Sequence, residues 1–182
     1  MTVVLDATVG GVSANSYITV ADADTYVDTY VLQESNRDIW IDQDSDDKAR
    51  LLIQATRQLD WYFKWVGERT DDEQALGWPR QWAYREDLQI PDTEIPFEIP
   101  HATVEMALWL IQQQDSIPVD GNYLLDEIAV GPIRVNFNEK SGGQAKIYMP
   151  DKVVAIVQQY GCAEAPQVPM AGQVRVVRLE RT

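Results

Sequence analysis

The chain offers few side chains of the kind that make and break bonds. His101 is its one histidine and Cys162 its one cysteine. A metal centre built on imidazole and thiolate needs several such ligands at spaced positions. His101 follows Pro100 at the expected start of a helix, with no second histidine or neighbouring cysteine to share an ion, and it reads as structural. Cys162 is expected just after a helix C-terminus, whose negative end raises a thiol pKa and makes a poor nucleophile. Asp42-Gln43-Asp44-Ser45-Asp46 has the opening of a calcium loop. The pattern then fails, because Asp47 stands where glycine must turn the chain and Ile53 where a bidentate glutamate belongs. There is no phosphate-cradling loop, no dinucleotide fingerprint and no nucleophile elbow. These residues assign no catalytic group, metal or cofactor, and nothing in them argues for an enzyme.

The most structured stretch is Gln74-Ala75-Leu76-Gly77-Trp78-Pro79-Arg80. Gly77 and Pro79 exclude ordinary helix there, and Pro79 pushes Trp78 towards extended geometry. Trp61, Trp65, Trp78 and Trp82, four of six tryptophans, fall within 22 residues. A buried indole removes about 150–250 Å² from water, so this cluster reads as the centre of the core or as an interface. Trp78, Pro79 and Arg80 are expected to form a structural core loop, with Trp78 buried and Arg80 meeting a carboxylate or helix C-terminal carbonyls.

Those residues must be positioned by a chain of 182 residues, 45% hydrophobic, with a net charge of −14. That length suits one domain. No apolar run approaches the roughly 20 residues that span a bilayer, so no membrane role is expected. The start lacks the basic region of a signal peptide, and one cysteine cannot form an intrachain disulfide, which fits synthesis in a reducing compartment. Residues 1–162 hold 12 basic and 27 acidic groups, a net −15, whereas the last 20 residues carry +1. A body this acidic repels phosphate backbones, because generic nucleic-acid affinity depends on Lys and Arg displacing counterions.

Periodicity then places the elements. Residues 1–18 read as a short strand or extended arm ending in a turn. A helix is expected from Thr19 to Val31, with Ala23, Tyr26, Val27 and Tyr30 on one face. A polar loop from about Gln33 to Ser45 holds Trp40. Ser45 as N-cap, with Asp46 and Asp47 in the first turn, predicts a second helix running to about Trp65. Its stripe includes Leu52, Leu59 and Phe63, and Asp60 at the stripe's edge needs an arginine or backbone partner. Gly67 can end that helix, and Thr70-Asp71-Asp72-Glu73 matches a capping box. Pro91, Pro96 and Pro100 exclude regular structure over residues 85–100, until a helix beginning near Pro96 or Pro100 runs to about Gln114. A β-like stretch from Leu124 to Phe137 and a returning strand, Lys146 to Met149, predict a hairpin. Pro150 opens a last helix that Gly161 closes. The fold class is mainly α: a compact bundle of about four helices with a small β-hairpin and extended N- and C-terminal arms. One domain covers residues 1–162, with the hairpin near 124–149, and an arm covers 163–182.

Several motifs occur in an order that resembles a known family. They are Asn15-Ser16-Tyr17, Val20-Ala21-Asp22-Ala23-Asp24-Thr25-Tyr26, Ala55-Thr56 through Asp60, Gly67-Glu68-Arg69-Thr70, the Gln74–Arg80 loop, and Ile95-Pro96 ahead of an alanine-bearing helix. Over roughly residues 12–160 the chain resembles tailed-phage proteins often labelled putative DnaT-like single-stranded-DNA-binding proteins. Members of that group also resemble the head–tail adaptors, or head completion proteins, of long-tailed phages. The resemblance implies a structural protein of the virion neck, assembled in the host cytoplasm. It would form a symmetric ring of about twelve copies between the portal protein and a downstream stopper or tail-completion protein. DNA would pass through its lumen without specific binding. The label implies the alternative, binding of single-stranded DNA in replication. That task needs a cationic groove and exposed aromatic platforms, and the net charge of −15 over residues 1–162 speaks against it.

The tail beyond Cys162 carries none of these motifs. Within it, Val174-Arg175-Val176-Val177-Arg178-Leu179 alternates, is rich in β-branched residues and is locally basic. A strand without a partner in its own chain is a candidate for pairing with another. Arg175, Val176, Val177, Arg178 and Leu179 are therefore expected to contact the portal or a neighbouring subunit.

Overall fold

A computed structural model describes residues 2–113, 127–130, 133–136 and 149–163. Among the described residues there are five α-helices: α1 (Val20–Tyr30), α2 (Glu34–Ile41), α3 (Ser45–Tyr62), α4 (Glu98–Gln113) and α5 (Asp151–Val157). The fold is mainly α with small antiparallel β elements, as the residue pattern predicts.

The helix at the centre is α4, which packs against α1, α2, α3 and α5. Its residues Ala102 to Leu108 are buried on nearly every face, and a helix apolar all round belongs inside. Pro100 lies in its first turn, where a missing N–H costs nothing. Around it α1 contributes Ala23, Tyr26 and Val27, and α3 contributes Leu51, Leu52, Ala55, Thr56 and Leu59.

Caps fix the helix starts. Thr19 Oγ1 accepts from Asp22 N–H at 3.2 Å ahead of α1. For α3 the N-cap is Asp44 rather than Ser45, its carboxylate accepting from Asp47 N–H at 2.8 Å. A carboxylate suits the positive end of the helix better than a hydroxyl. Asp42 in turn is the C-cap residue of α2, so two acidic residues of the calcium-like run belong to helix ends.

Several further expectations are corrected. The stretch Gln33–Ser45 is not a loop throughout, since it contains α2. One buried residue, Trp40, holds that helix to the body, with its indole N–H donating to Asp24 Oδ1 at 2.8 Å. Tertiary packing of a single anchor, not periodicity, makes it helical. Secondly, α3 stops at Tyr62, and Phe63–Trp65 forms strand β1, antiparallel to Gly161–Ala163 at the far end of the described chain. A Cβ on Gly161 would stand 2.5 Å from the Lys64 carbonyl oxygen, so glycine is what lets the two backbones approach.

Thirdly, the Thr70 capping box opens no helix. Asp71 instead makes a turn, its carboxylate accepting from Glu73 N–H at 2.8 Å. The same region forms a short ladder, β2 (Glu68–Arg69) against β3 (Arg80–Gln81). Gly67, at φ +72, turns the chain between β1 and β2 rather than ending a helix. Fourthly, residues 85–100 are not wholly irregular, because β4 (Tyr84–Arg85) and β5 (Leu88–Gln89) form a tight hairpin.

Within the expected hairpin region, β6 (Glu127–Val130) pairs with β7 (Ile133–Asn136), Val130 opposite Ile133. The expected β-like stretch thus contains both strands of an antiparallel pair. The expected returning strand at residues 146–148 lies outside the described residues. Gly161–Ala163 is β8, entered from α5 through a 3-10 turn at Gln158–Tyr160.

Candidate functional site

The Gln74–Arg80 loop is tied to α3 through Asp60. One oxygen of that carboxylate accepts from the Tyr17 hydroxyl at 2.5 Å and from the Trp65 indole N–H at 2.9 Å, and the other from Gly77 N–H at 2.9 Å. Burial pushes the Asp60 carboxyl above its ordinary value, although all three donors pull the other way. Burial, then the Asp60 charge, pushes the Tyr17 hydroxyl well above its own. Of the two partners expected for Asp60, the backbone one is Gly77; the others are a tyrosine and a tryptophan rather than an arginine. A Cβ on Gly77 would lie 2.7 Å from the Asp60 carboxylate and 2.8 Å from the Trp65 ring, so the position tolerates glycine alone.

Arg80 closes the loop from the other side. Its guanidinium donates to the carbonyls of Val66 (2.6 Å), Gly67 (2.6 Å) and Gly77 (2.9 Å). The first two belong to the turn after β1 rather than to a helix end. Gln74 donates to the Leu76 and Pro79 carbonyls at 2.8 and 3.1 Å. The Trp78–Pro79 peptide is cis. Trp78 is 1% exposed and packs edge-on against Trp65 and Tyr160, at centroid distances of 6.0 and 5.6 Å. Its indole N–H is buried without an acceptor among the described residues. The charged groups of this loop are all turned onto the chain itself. It is a structural joint between α3, the β1–β8 pair and the N-terminal arm, with no reactive group presented outward.

The tryptophan cluster divides. Trp65 and Trp78 are in the core, whereas Trp61 is 69% and Trp82 56% exposed.

An open cavity of about 360 Å³ lies between α1 and the start of α4. Tyr26 and Tyr30 line it from α1; Phe97, Pro100 and His101 line it from the other side, with Asp22, Thr19 and Thr25 at its polar edge. His101 is the hub of the aromatic group, 4.6 Å from Tyr26, 5.6 Å from Tyr30 and 5.4 Å from Phe97 between ring centroids. Burial lowers the imidazole pKa, opposed by the charges of Glu98 and Glu105. The Tyr26 hydroxyl donates to Glu105 at 2.8 Å, which also pairs with Lys152 at 2.6 Å. Arg85 stacks over Phe97 at 4.8 Å while bonding Glu98 (2.7 Å) and the Tyr160 hydroxyl (3.0 Å). The reading of His101 as structural missed this cleft. Its signal was present as two i, i+4 aromatic pairs, Tyr26/Tyr30 and Phe97/His101, but nothing in the sequence says that those pairs face one another.

Charge completes the description. Residues 1–113 hold 21 acidic and 8 basic side chains, a net −13. Most of the described cations are committed within the chain. Lys48 pairs with Asp24, Arg50 with Asp46 and Asp47, Arg85 with Glu98 and Lys152 with Glu105. Arg69 and Arg80 donate to backbone carbonyls. Among the described residues no group of three metal-ligating side chains gathers, and no helix is long and apolar enough to cross a membrane. Arg175, Val176, Val177, Arg178 and Leu179 lie outside the described residues.

A family model described as "Putative DnaT-like ssDNA binding protein" matches residues 1–180, and the chain belongs to that family. The match takes in residues 164–180, which the motif-based resemblance left out. The description names single-stranded-DNA binding, the activity the sequence reading places second, and not a head–tail adaptor. No curated protein and no solved structure matches the chain.

Proposed function

We propose that this member of the DnaT-like family acts as a structural assembly protein, a head–tail adaptor of a tailed phage. About twelve copies would form a closed ring between the portal and a stopper or tail-completion protein, in the neck of the virion, and carry the DNA channel onward. The observation that supports this reading is the commitment of the cations. A duplex or single strand binds by displacing counterions with available Lys and Arg, and here six described cations are bound to carboxylates or carbonyls of their own chain. A net charge of −13 over residues 1–113 would let DNA slide past without sticking. Arg175 to Leu179 would supply the contact to the portal or to a neighbouring subunit.

The second reading, single-stranded-DNA binding, has the family description behind it. It also has exposed aromatics, Trp61, Trp82 and Tyr84, that offer stacking faces. Its phosphate contacts would then fall largely to basic residues such as Arg175, Arg178 and Arg181.

One titration separates the two. Fluorescence anisotropy of labelled oligothymidylate with the full chain, at about 50 mM salt where screening is weak, is expected to show no saturable binding. Micromolar affinity with a steep salt slope would replace the adaptor reading with the family description. Sedimentation of the chain with purified portal protein should show a ring-sized complex. Portal that sediments unchanged would sink the adaptor.

A further inference from the structure

The cleft between α1 and α4 presents aromatic faces of the kind that bind a cation. Its floor is four aromatic rings, and ring faces attract guanidinium and ammonium groups within about 6 Å of the centroid. Phe97 already does so with Arg85, at 4.8 Å. The far side, around Tyr30 and His101, has no such partner among the described residues, and Tyr30 is 59% exposed there. Asp22 lines the cavity, whereas Glu98 and Glu105 nearby are paired with Arg85 and Lys152. The site therefore offers aromatic faces with a carboxylate at its edge, on a body of net −13 over residues 1–113.

The chain contains a matching segment. Val174 to Leu179 places Arg175 and Arg178 among valines and a leucine, within a stretch of net +1 on a protein of net −14. Copies of so acidic a body repel one another, so a contact between copies needs a local reversal of charge. A basic segment seated beside Asp22 on the next copy supplies it. That contact is also head-to-tail, the kind that generates rings when its rotation closes.

We infer that the α1–α4 cleft receives residues Val174–Leu179 of a second copy, an arginine lying over the Tyr30 and His101 rings within reach of Asp22. The inference deepens the assembly reading and rests on it for its biological setting, but the binding event stands by itself and is testable without a portal.

The test uses the full chain carrying Arg175→Gln and Arg178→Gln, so that its own segment does not compete. A labelled synthetic peptide of the native sequence 172–182 is titrated into it and followed by anisotropy. Saturable binding is expected, weakening as salt rises. Tyr30→Ala and Asp22→Asn, both at exposed positions, should each weaken it roughly tenfold. The peptide with Arg175 and Arg178 replaced by glutamine should not bind. Absence of saturable binding overturns the inference, as does binding that neither cleft substitution changes. The two readings fail separately. Peptide binding without a ring on the portal sinks the adaptor and leaves the cleft assigned, whereas a ring with no peptide binding overturns the cleft.

Discussion

Replacing Asp60 by asparagine tests the joint that holds the Gln74–Arg80 loop. The carboxylate accepts three hydrogen bonds, at 2.5, 2.9 and 2.9 Å. An asparagine oxygen can keep the Tyr17 and Trp65 donors, but its amide then faces Gly77 N–H, donor against donor. Hydrogen bonds to a charged group contribute about 1.5–3 kcal/mol each and neutral ones about 0.5–1.5, while an orphaned buried donor costs about 1–3. Set against the relief of burying no charge, Asp60→Asn should cost about 2–4 kcal/mol, or about 5–15 °C in Tm for a chain of this size. Urea melts followed by tryptophan fluorescence would read it, since Trp65 and Trp78 flank the site. The pH dependence is the sharper part. Burial raises the folded-state pKa of Asp60 above its unfolded value, so the folded chain holds the proton longer. That stabilisation is complete below the unfolded pKa of about 3.9 and is lost as pH rises through the folded pKa. The gap in stability between wild type and Asp60→Asn should therefore narrow as pH rises above about 4. A gap that widens would mean the three donors outweigh burial, and the account of this site would be refuted.

The two kinds of tryptophan should separate in the same assay. Trp78→Ala is expected to cost about 3–5 kcal/mol as a core truncation, whereas exposed Trp61→Ala should stay within about 0.5 kcal/mol; equal losses would contradict the burial pattern. His101, whose pKa burial lowers against the opposing charges of Glu98 and Glu105, should make the fold less stable as pH falls from its unfolded value near 6.5. His101→Gln should remove that slope, and a slope that survives would place its origin elsewhere.

What the sequence made legible follows the range of the interaction. The helix α4 could be read because its apolar positions and its prolines are local signals, and α1 because Thr19, Asp22 and the Ala23–Tyr30 stripe lie within one segment. The helix α2 could not, because its helicity depends on Trp40 reaching Asp24, a neighbour only in the folded chain. The end of α3 was misread for the same reason. Phe63 fits a helical stripe as well as a strand, and only Gly161, almost a hundred residues on, decides for the strand. Asp60 could be singled out as a carboxylate needing a partner, but Tyr17 and Gly77 stand 43 and 17 residues away, and no periodicity connects them.

The same distinction separates the two functional readings. Net charge is a sum, available from composition, and it says only that the average phosphate is repelled. Affinity for DNA depends on how many cations are left over once the fold has used its own. Arg80 and Arg69 look like ordinary basic residues in the sequence, and in the fold they hold carbonyls; Lys48 and Arg85 look the same, and they hold carboxylates. A single-strand binder would have to draw its electrostatics from the cations outside those pairs, Arg175 and Arg178 among them. The head-to-tail contact inferred for the α1–α4 cleft draws on those same two arginines. If they do seat in a neighbouring copy, assembly and generic DNA binding compete for one set of charges, and the chain cannot do both at once with the same segment.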